Sequence, residues 1–293
     1  MAIASIPVDL LNPGQVFGCL GFAEMARELH GDAQGAFDWS DHRSVRFHLG
    51  TSSQEDPIAA VLGFLDEADV VSVAPKASSN RTEKWDVPTV VLDEDEPFPN
   101  GDESGPPQLP ARLQRGDVHV DIAYWGENLG SVGRDGVKFW AGAGGYPGAA
   151  HVRDALASVR GKALANRADP FNFAALLGAN LRLDRRGSYV PLDTGFSPNN
   201  HGNLQMRSFP LVELLAAAGL AHARPRRLQK LEYRYGVIAA PGGDELLPLP
   251  LLRAAMGATR MPFPQRTFTM HLGWAGQEGQ ARVITSSVEE FST

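Results

Sequence analysis

Residues 3–15, IASIPVDLLNPGQ, decide how the fold begins. Ile3 to Val8 reads as a strand. Asn12, Pro13 and Gln15 then supply a helix cap, a residue preset for the first helical position, and a side chain able to reach back toward the cap. The helix runs to about Leu29, with Val16, Cys19, Leu20, Ala23 and Ala26 on its inner stripe and Glu24, Arg27 and Glu28 on its wet side; Gly31 ends it. Ala36 to Trp39 and Val45 to Leu49 flank a polar turn and form a hairpin. Asp56 and Pro57 open a second helix with Ile58, Val61, Leu62 and Leu65 at helical spacing, and Val70 to Val73 is the closing strand. The order βαββαβ predicts a ferredoxin-like unit over residues 1–75 of an α+β chain. That order is used repeatedly to hold RNA, and it also serves many unrelated functions.

The 293 residues suffice for one large core or two modest ones, and two are expected. The lone Cys19 leaves no disulfide framework or cysteine-rich metal site to expect. No basic, apolar leader and no uninterrupted apolar stretch of membrane-spanning length is seen, so a soluble, cytoplasmic protein without membrane partners is expected. The net charge of -7 hides an asymmetry: residues 1–147 carry 23 acidic and 10 basic side chains, residues 148–293 carry 11 and 17. Local field, not the whole-chain sum, decides where phosphates settle, so the second half is the candidate polyanion-binding half. An ordinary solvated basic surface is the competing explanation.

Residues 76–115 are rich in proline and acid, with Asp93, Glu94, Asp95 and Glu96 in succession. They read as an insertion outside the core, in which only Thr89 to Leu92 could pair as a strand, facing solvent or a basic partner subunit. Residues 116–293 form a second, basic α/β region. It opens with a strand over Val118 to Trp125. A glycine-rich loop with Gly142, Gly144 and Gly145 then leads into a helix from about Ala149 to Ala165. Glycines ahead of a helix expose backbone N–H groups to an anion, so this loop is a candidate phosphate contact, although it matches neither a dinucleotide nor a Walker fingerprint. Later elements are helices over Leu211 to Ala218 and Leu247 to Met256, and strands over Lys230 to Ala239, Thr267 to Trp274 and Ala281 to Thr285. Phe268, Met270, Leu272 and Trp274 share the core face of the last hairpin.

No nucleophile elbow, zincin helix or penicillin-binding motif occurs, and the eight histidines show no ligand spacing. An enzyme is the less favoured class, and no catalytic residue, metal or cofactor is assigned. Two basic clusters are the candidate nucleic-acid contacts. Arg182, Arg185 and Arg186 precede a polar loop containing Asn199 and Asn200; Arg224, Arg226, Arg227, Lys230 and Arg234 surround the start of a strand with Tyr233 and Tyr235. Guanidinium groups interleaved with amides and aromatics suit phosphates, base edges or stacked bases. If both tyrosines point inward, only phosphate contacts remain.

The opening Ile6-Pro7-Val8-Asp9-Leu10-Leu11-Asn12-Pro13-Gly14-Gln15-Val16-Phe17 resembles subunits of type I CRISPR effector complexes of subtype U, also called G. So do Lys138 to Gly148, Pro210 to Leu215 and Leu231 to Gly236. The resemblance implies a subunit of the Cascade surveillance complex, its compact large subunit, with guide RNA, target double-stranded DNA and other Cascade subunits as partners. Such subunits inspect the protospacer-adjacent motif while guide pairing reads the sequence. The short chain and its ferredoxin-like start keep a guide-coating backbone subunit as the alternative.

Overall fold

The computed structural model describes residues 1–100, 105–123, 146–178, 181–187, 206–242, 245–274 and 282–290. Strand β1 (Ala2–Pro7) leads into helix α1 (Pro13–His30), whose first helical position is a proline. Asn12 occupies the cap position, but its side chain turns elsewhere: Nδ2 donates to Asp184 Oδ1 at 3.1 Å. Gln15 does reach back, accepting from the Asp9 N–H at 2.7 Å and so closing the strand-to-helix turn. Gly31 stops the helix at φ 87°, a left-handed conformation that costs a residue without Cβ little. Strands β2 (Gln34–Asp38) and β3 (Arg46–Thr51) form the expected hairpin. The Asp56 carboxylate caps α2 (Pro57–Glu67) by accepting from Ile58 and Ala59 N–H at 2.9 and 3.0 Å. With β4 (Asp69–Ala74) the chain order is βαββαβ and the class is α+β.

The pairing of β4 departs from the ferredoxin-like pattern. The order β1-β3-β2 is antiparallel, but β4 does not join the β1 edge. Instead β4 pairs in parallel with β5 (Thr89–Val91) and antiparallel with β6 (Ala111–Arg115), which pairs with β7 (Val118–Ile122). The reason is burial: Ser72, Val73 and Ala74 are all enclosed, and a strand so placed needs hydrogen-bonding neighbours on both edges. The segment after it supplies them. Ser72, Thr82 and Thr89 hydroxyls lock the parallel pair together, with Thr82 Oγ1 donating to the Val87 carbonyl at 2.8 Å. The supposed insertion therefore builds a sheet, one that crosses residues 75 and 115, and it buries Val87, Leu92, Leu109, Ala111 and Leu113. Its acidic turn, Asp93 to Glu96, remains exposed as expected.

Helix α3 (Gly148–Val159) ends earlier than the sequence suggested, because Gly161 turns the chain at φ 71° and the Asp66 carboxylate accepts from its N–H at 3.1 Å. Strands β8 (Ala175–Leu177) and β9 (Met206–Ser208) pair with each other. Helix α4 (Pro210–His222) follows, buried on every side from Pro210 to Ala221, which accounts for its almost unbroken apolar sequence. It packs on α1 at backbone contact: a Cβ on Gly21 would lie 1.9 Å from the Leu215 carbonyl oxygen, and one on Gly219 would lie 2.3 Å from that of Phe17. Only glycine permits this approach.

The C-terminal sheet has the order β10 (Arg226–Gln229), β11 (Glu232–Ile238), β13 (Gln265–Trp274), β14 (Arg282–Glu290), all antiparallel. A short strand β12 (Leu247–Pro248) adds to β2 and opens helix α5 (Leu249–Met256). Period-2 alternation sends Tyr233, Tyr235, Phe268, Met270 and Leu272 into the core. Glu24, expected on the wet face of α1, is wholly buried. The α5 side chain Arg253 grips its two carboxylate oxygens at 2.6 and 2.7 Å, and His222 of α4 stands 3.7 Å away, so one carboxylate fastens three helices.

Candidate functional site

The second basic cluster is presented by the β10–β11 hairpin. Arg226 lies opposite Arg234 and Arg227 opposite Tyr233, with a bulge before Gln229. All four residues of β10 are exposed, as is Lys230 at the turn. Residues 223–231 contain four basic side chains and no acidic one, so this stretch of the edge is locally basic, with Glu232 following it opposite Gln229. Arg234 sits on the adjacent strand within an ion pair, its Nε donating to Glu290 Oε1 at 2.8 Å, which turns it toward the sheet surface. Arg224 is half-buried at the exit of α4.

The tyrosines that suggested base stacking are core residues. Tyr235 stacks on Phe268 with centroids 5.1 Å apart and meets Phe17 edge-on at 5.8 Å, while its hydroxyl donates to the Leu10 carbonyl at 2.7 Å. Burial pushes that phenol well above its ordinary pKa, so it stays a neutral donor. With Tyr233 also fully buried, the inward alternative holds, and the hairpin offers guanidinium and ammonium groups without an aromatic platform.

The first basic cluster is built into the protein's own fabric. Arg186 donates to Asp184 Oδ2 at 2.7 Å and to the Phe171 carbonyl at 2.6 Å, and its guanidinium lies 3.7 Å above the Phe209 ring. Those contacts use its donors and cover one face, so Arg186 is a structural clamp rather than a surface contact. Arg185 pairs with Asp9 at 3.2 Å, and Arg182 holds the left-handed conformation at φ 60°. Beneath them, Glu213 of α4 accepts from the Leu183 and Asp184 N–H groups, each at 3.1 Å, pinning the loop to the core. Burial pushes the Glu213 carboxyl up to about 7 although those two donors pull it down. Nearby His151 is held down at about 4 by burial, which Asp154 only partly offsets and Arg182 reinforces. Asn12 joins this polar knot through Asp184.

Asn199, Asn200 and the candidate phosphate loop, Gly142, Gly144 and Gly145, lie outside the described residues. Two arginines outside both basic clusters meet at a concave site: Arg153 of α3 and Arg160, which caps its C-terminus, line a cleft against β4 and β6. Their i, i+7 spacing, which places both on one helix face, was the available signal. Among the described residues, no three His, Cys, Asp or Glu side chains converge as a metal set, and no helix is long and apolar enough to cross a membrane. No family model matches the chain, and neither a curated protein nor a solved structure is similar to it.

Proposed function

We propose that the chain is a nucleic-acid-binding subunit of a type I CRISPR surveillance complex, contacting target DNA near its protospacer-adjacent motif. The observation that carries this reading is the exposed edge strand and turn that bring Arg226, Arg227 and Lys230 to one side of the sheet. Each phosphate such a group neutralises releases condensed counterions, which supplies affinity without sequence preference. The inward tyrosines fit that division of labour, since a surface lacking base-stacking groups leaves sequence choice to guide pairing. The exposed carboxylates of Asp93 and Asp95 suit a basic partner subunit. The resemblance of the Ile6 to Phe17 segment to subtype U subunits gives the assembly its identity in this proposal.

A second reading, a backbone subunit that coats guide RNA, rests on the βαββαβ chain order alone, since β4 pairs outside the β1-β3-β2 sheet. Copurification with the other complex subunits, followed by RNA analysis and duplex binding, separates the two. One copy per complex and duplex binding that depends on the hairpin support the first; several copies arrayed along RNA support the second. A chain that purifies alone and ignores nucleic acid in the assembled mixture refutes both.

A further inference from the structure

The cleft beside α3 shares no residue with the basic hairpin, and its chemistry points to a different kind of ligand. It has a volume of about 530 Å³, within the roughly 300–1,000 Å³ typical of small-molecule sites. Its floor is apolar: Val70 and Val71 of β4, Pro88 before β5, and Leu156 of α3. Its rim is polar, with Arg153, Arg160, Gln114 and Asp69.

The two arginines differ in how their charge is answered. Arg153 is engaged: its guanidinium donates to Asp154 at 2.7 Å, to the Tyr146 hydroxyl at 3.0 Å and to the Trp85 carbonyl. These bonds hold the wall rigid. Arg160 donates to the Ala68 carbonyl and stands 3.7 Å from Asp69, with side chains 49 % and 77 % exposed. An ion pair that loose and wet is worth little, so an incoming anion can replace Asp69 as its partner. The neighbouring carboxylates of Asp69 and Asp154 make the cleft poor for a bare polyanion. It suits a ligand with one anionic group, a flat apolar body for the floor, and a polar edge for the Gln114 amide.

We infer that this cleft binds a nucleoside phosphate, with the phosphate on Arg160, the base over Val70 and Pro88, and the base edge at Gln114. The same chemistry is offered by a free nucleotide and by one nucleotide unit of a strand. The test is a titration of the ¹⁵N-labelled full chain with the four ribonucleoside monophosphates, inorganic phosphate and a single-stranded tetranucleotide, following the amides of Asp69, Val70, Val71 and Ala157. Monophosphates are expected to shift these amides. Arg160→Gln, which keeps an amide donor for the Ala68 carbonyl, should weaken binding about tenfold. Ala157→Phe, at an exposed position on the cleft wall, should block it without entering the core. A tetranucleotide that binds tighter than any monophosphate identifies a strand unit as the occupant; equal affinity identifies a free nucleotide. Absence of shifts, equal shifts from inorganic phosphate, or wild-type binding by both variants with unaltered spectra elsewhere would overturn the inference. Binding at the hairpin, read separately with Arg226→Ala/Arg227→Ala, keeps that outcome distinct from failure of the proposed function.

Discussion

Truncating Glu24 to alanine strips Arg253 of two charge-assisted hydrogen bonds and leaves an empty space where α1, α4 and α5 meet. Removing one partner of a buried pair costs about 3–5 kcal/mol, because the other charge is left uncompensated in a poor solvent. Arg253 keeps 29 % of its side chain exposed, so part of its guanidinium can recover water, and the lower end, about 3 kcal/mol, is expected. For a domain of this size that corresponds to a fall in Tm of roughly 6–12 °C. The control is Glu28→Ala on the same helix: its pairing with Arg27 is a surface contact, worth about 0–1 kcal/mol. Adding Arg253→Met to Glu24→Ala should restore part of the loss, since it removes the orphaned charge. Urea and thermal unfolding followed by circular dichroism read all four proteins. If Glu24→Ala and Glu28→Ala fall within 1 kcal/mol of each other, the buried fastener is not a stabilising element and the reasoning fails.

Packing at the α1–α4 crossing makes Gly21→Ala severe: its Cβ would collide with the Leu215 carbonyl, and a loss of about 3 kcal/mol or failure to fold is expected. Gly63→Ala in α2, where the added Cβ meets open space, should instead be neutral or stabilise by about 0.5–1 kcal/mol. The two buried titrating groups oppose each other in acid. His151, at about 4 folded against 6.5 unfolded, loses stability as pH falls through that window; Glu213, at about 7 against 4.5, loses stability as pH rises from 4.5 to 7. Each is worth about 3 kcal/mol over its full window, so the two nearly cancel between 4.5 and 6.5. Unfolding free energies of His151→Gln should therefore rise on acidification from pH 7 to 5, and those of Glu213→Gln should fall; matching slopes in the two variants would refute the assignment.

Much of the element order was legible because it rests on local chemistry. Pro13 after Asn12, Asp56 before Pro57 and glycine at 31 act within one turn of chain, and each marks an observed helix end. The partner of β4 was not legible, because its neighbours arrive from 89–91 and 111–115, inside a segment whose composition resembles solvent-exposed chain. Glu24 misled for a related reason. A carboxylate in an amphipathic pattern reads as wet, and only the fold reveals that Arg253, 229 residues away, comes to meet it. At the basic clusters, sequence gave the charges without their surroundings. Arg186 and Arg226 look alike in one dimension, yet one is consumed by Asp184, Phe171 and Phe209 while the other stands exposed on an edge strand. Tyr233 and Tyr235 obey the strand's period of two, a rule that fixes them on one face but cannot say which face is core.

The most direct test of the proposed interface is the salt dependence of duplex binding by the assembled complex, wild type against Arg226→Ala/Arg227→Ala. Both side chains are exposed on an edge strand, so their loss should leave folding and assembly intact, to be verified by unfolding midpoint and subunit stoichiometry. Each phosphate contact contributes roughly -0.9 to the slope of log affinity against log salt, so the double variant should show a slope flatter by about two units and weaker binding across all sequences alike. Unchanged affinity with an unchanged slope in a correctly assembled variant would contradict the assignment and return the hairpin to ordinary solvated surface.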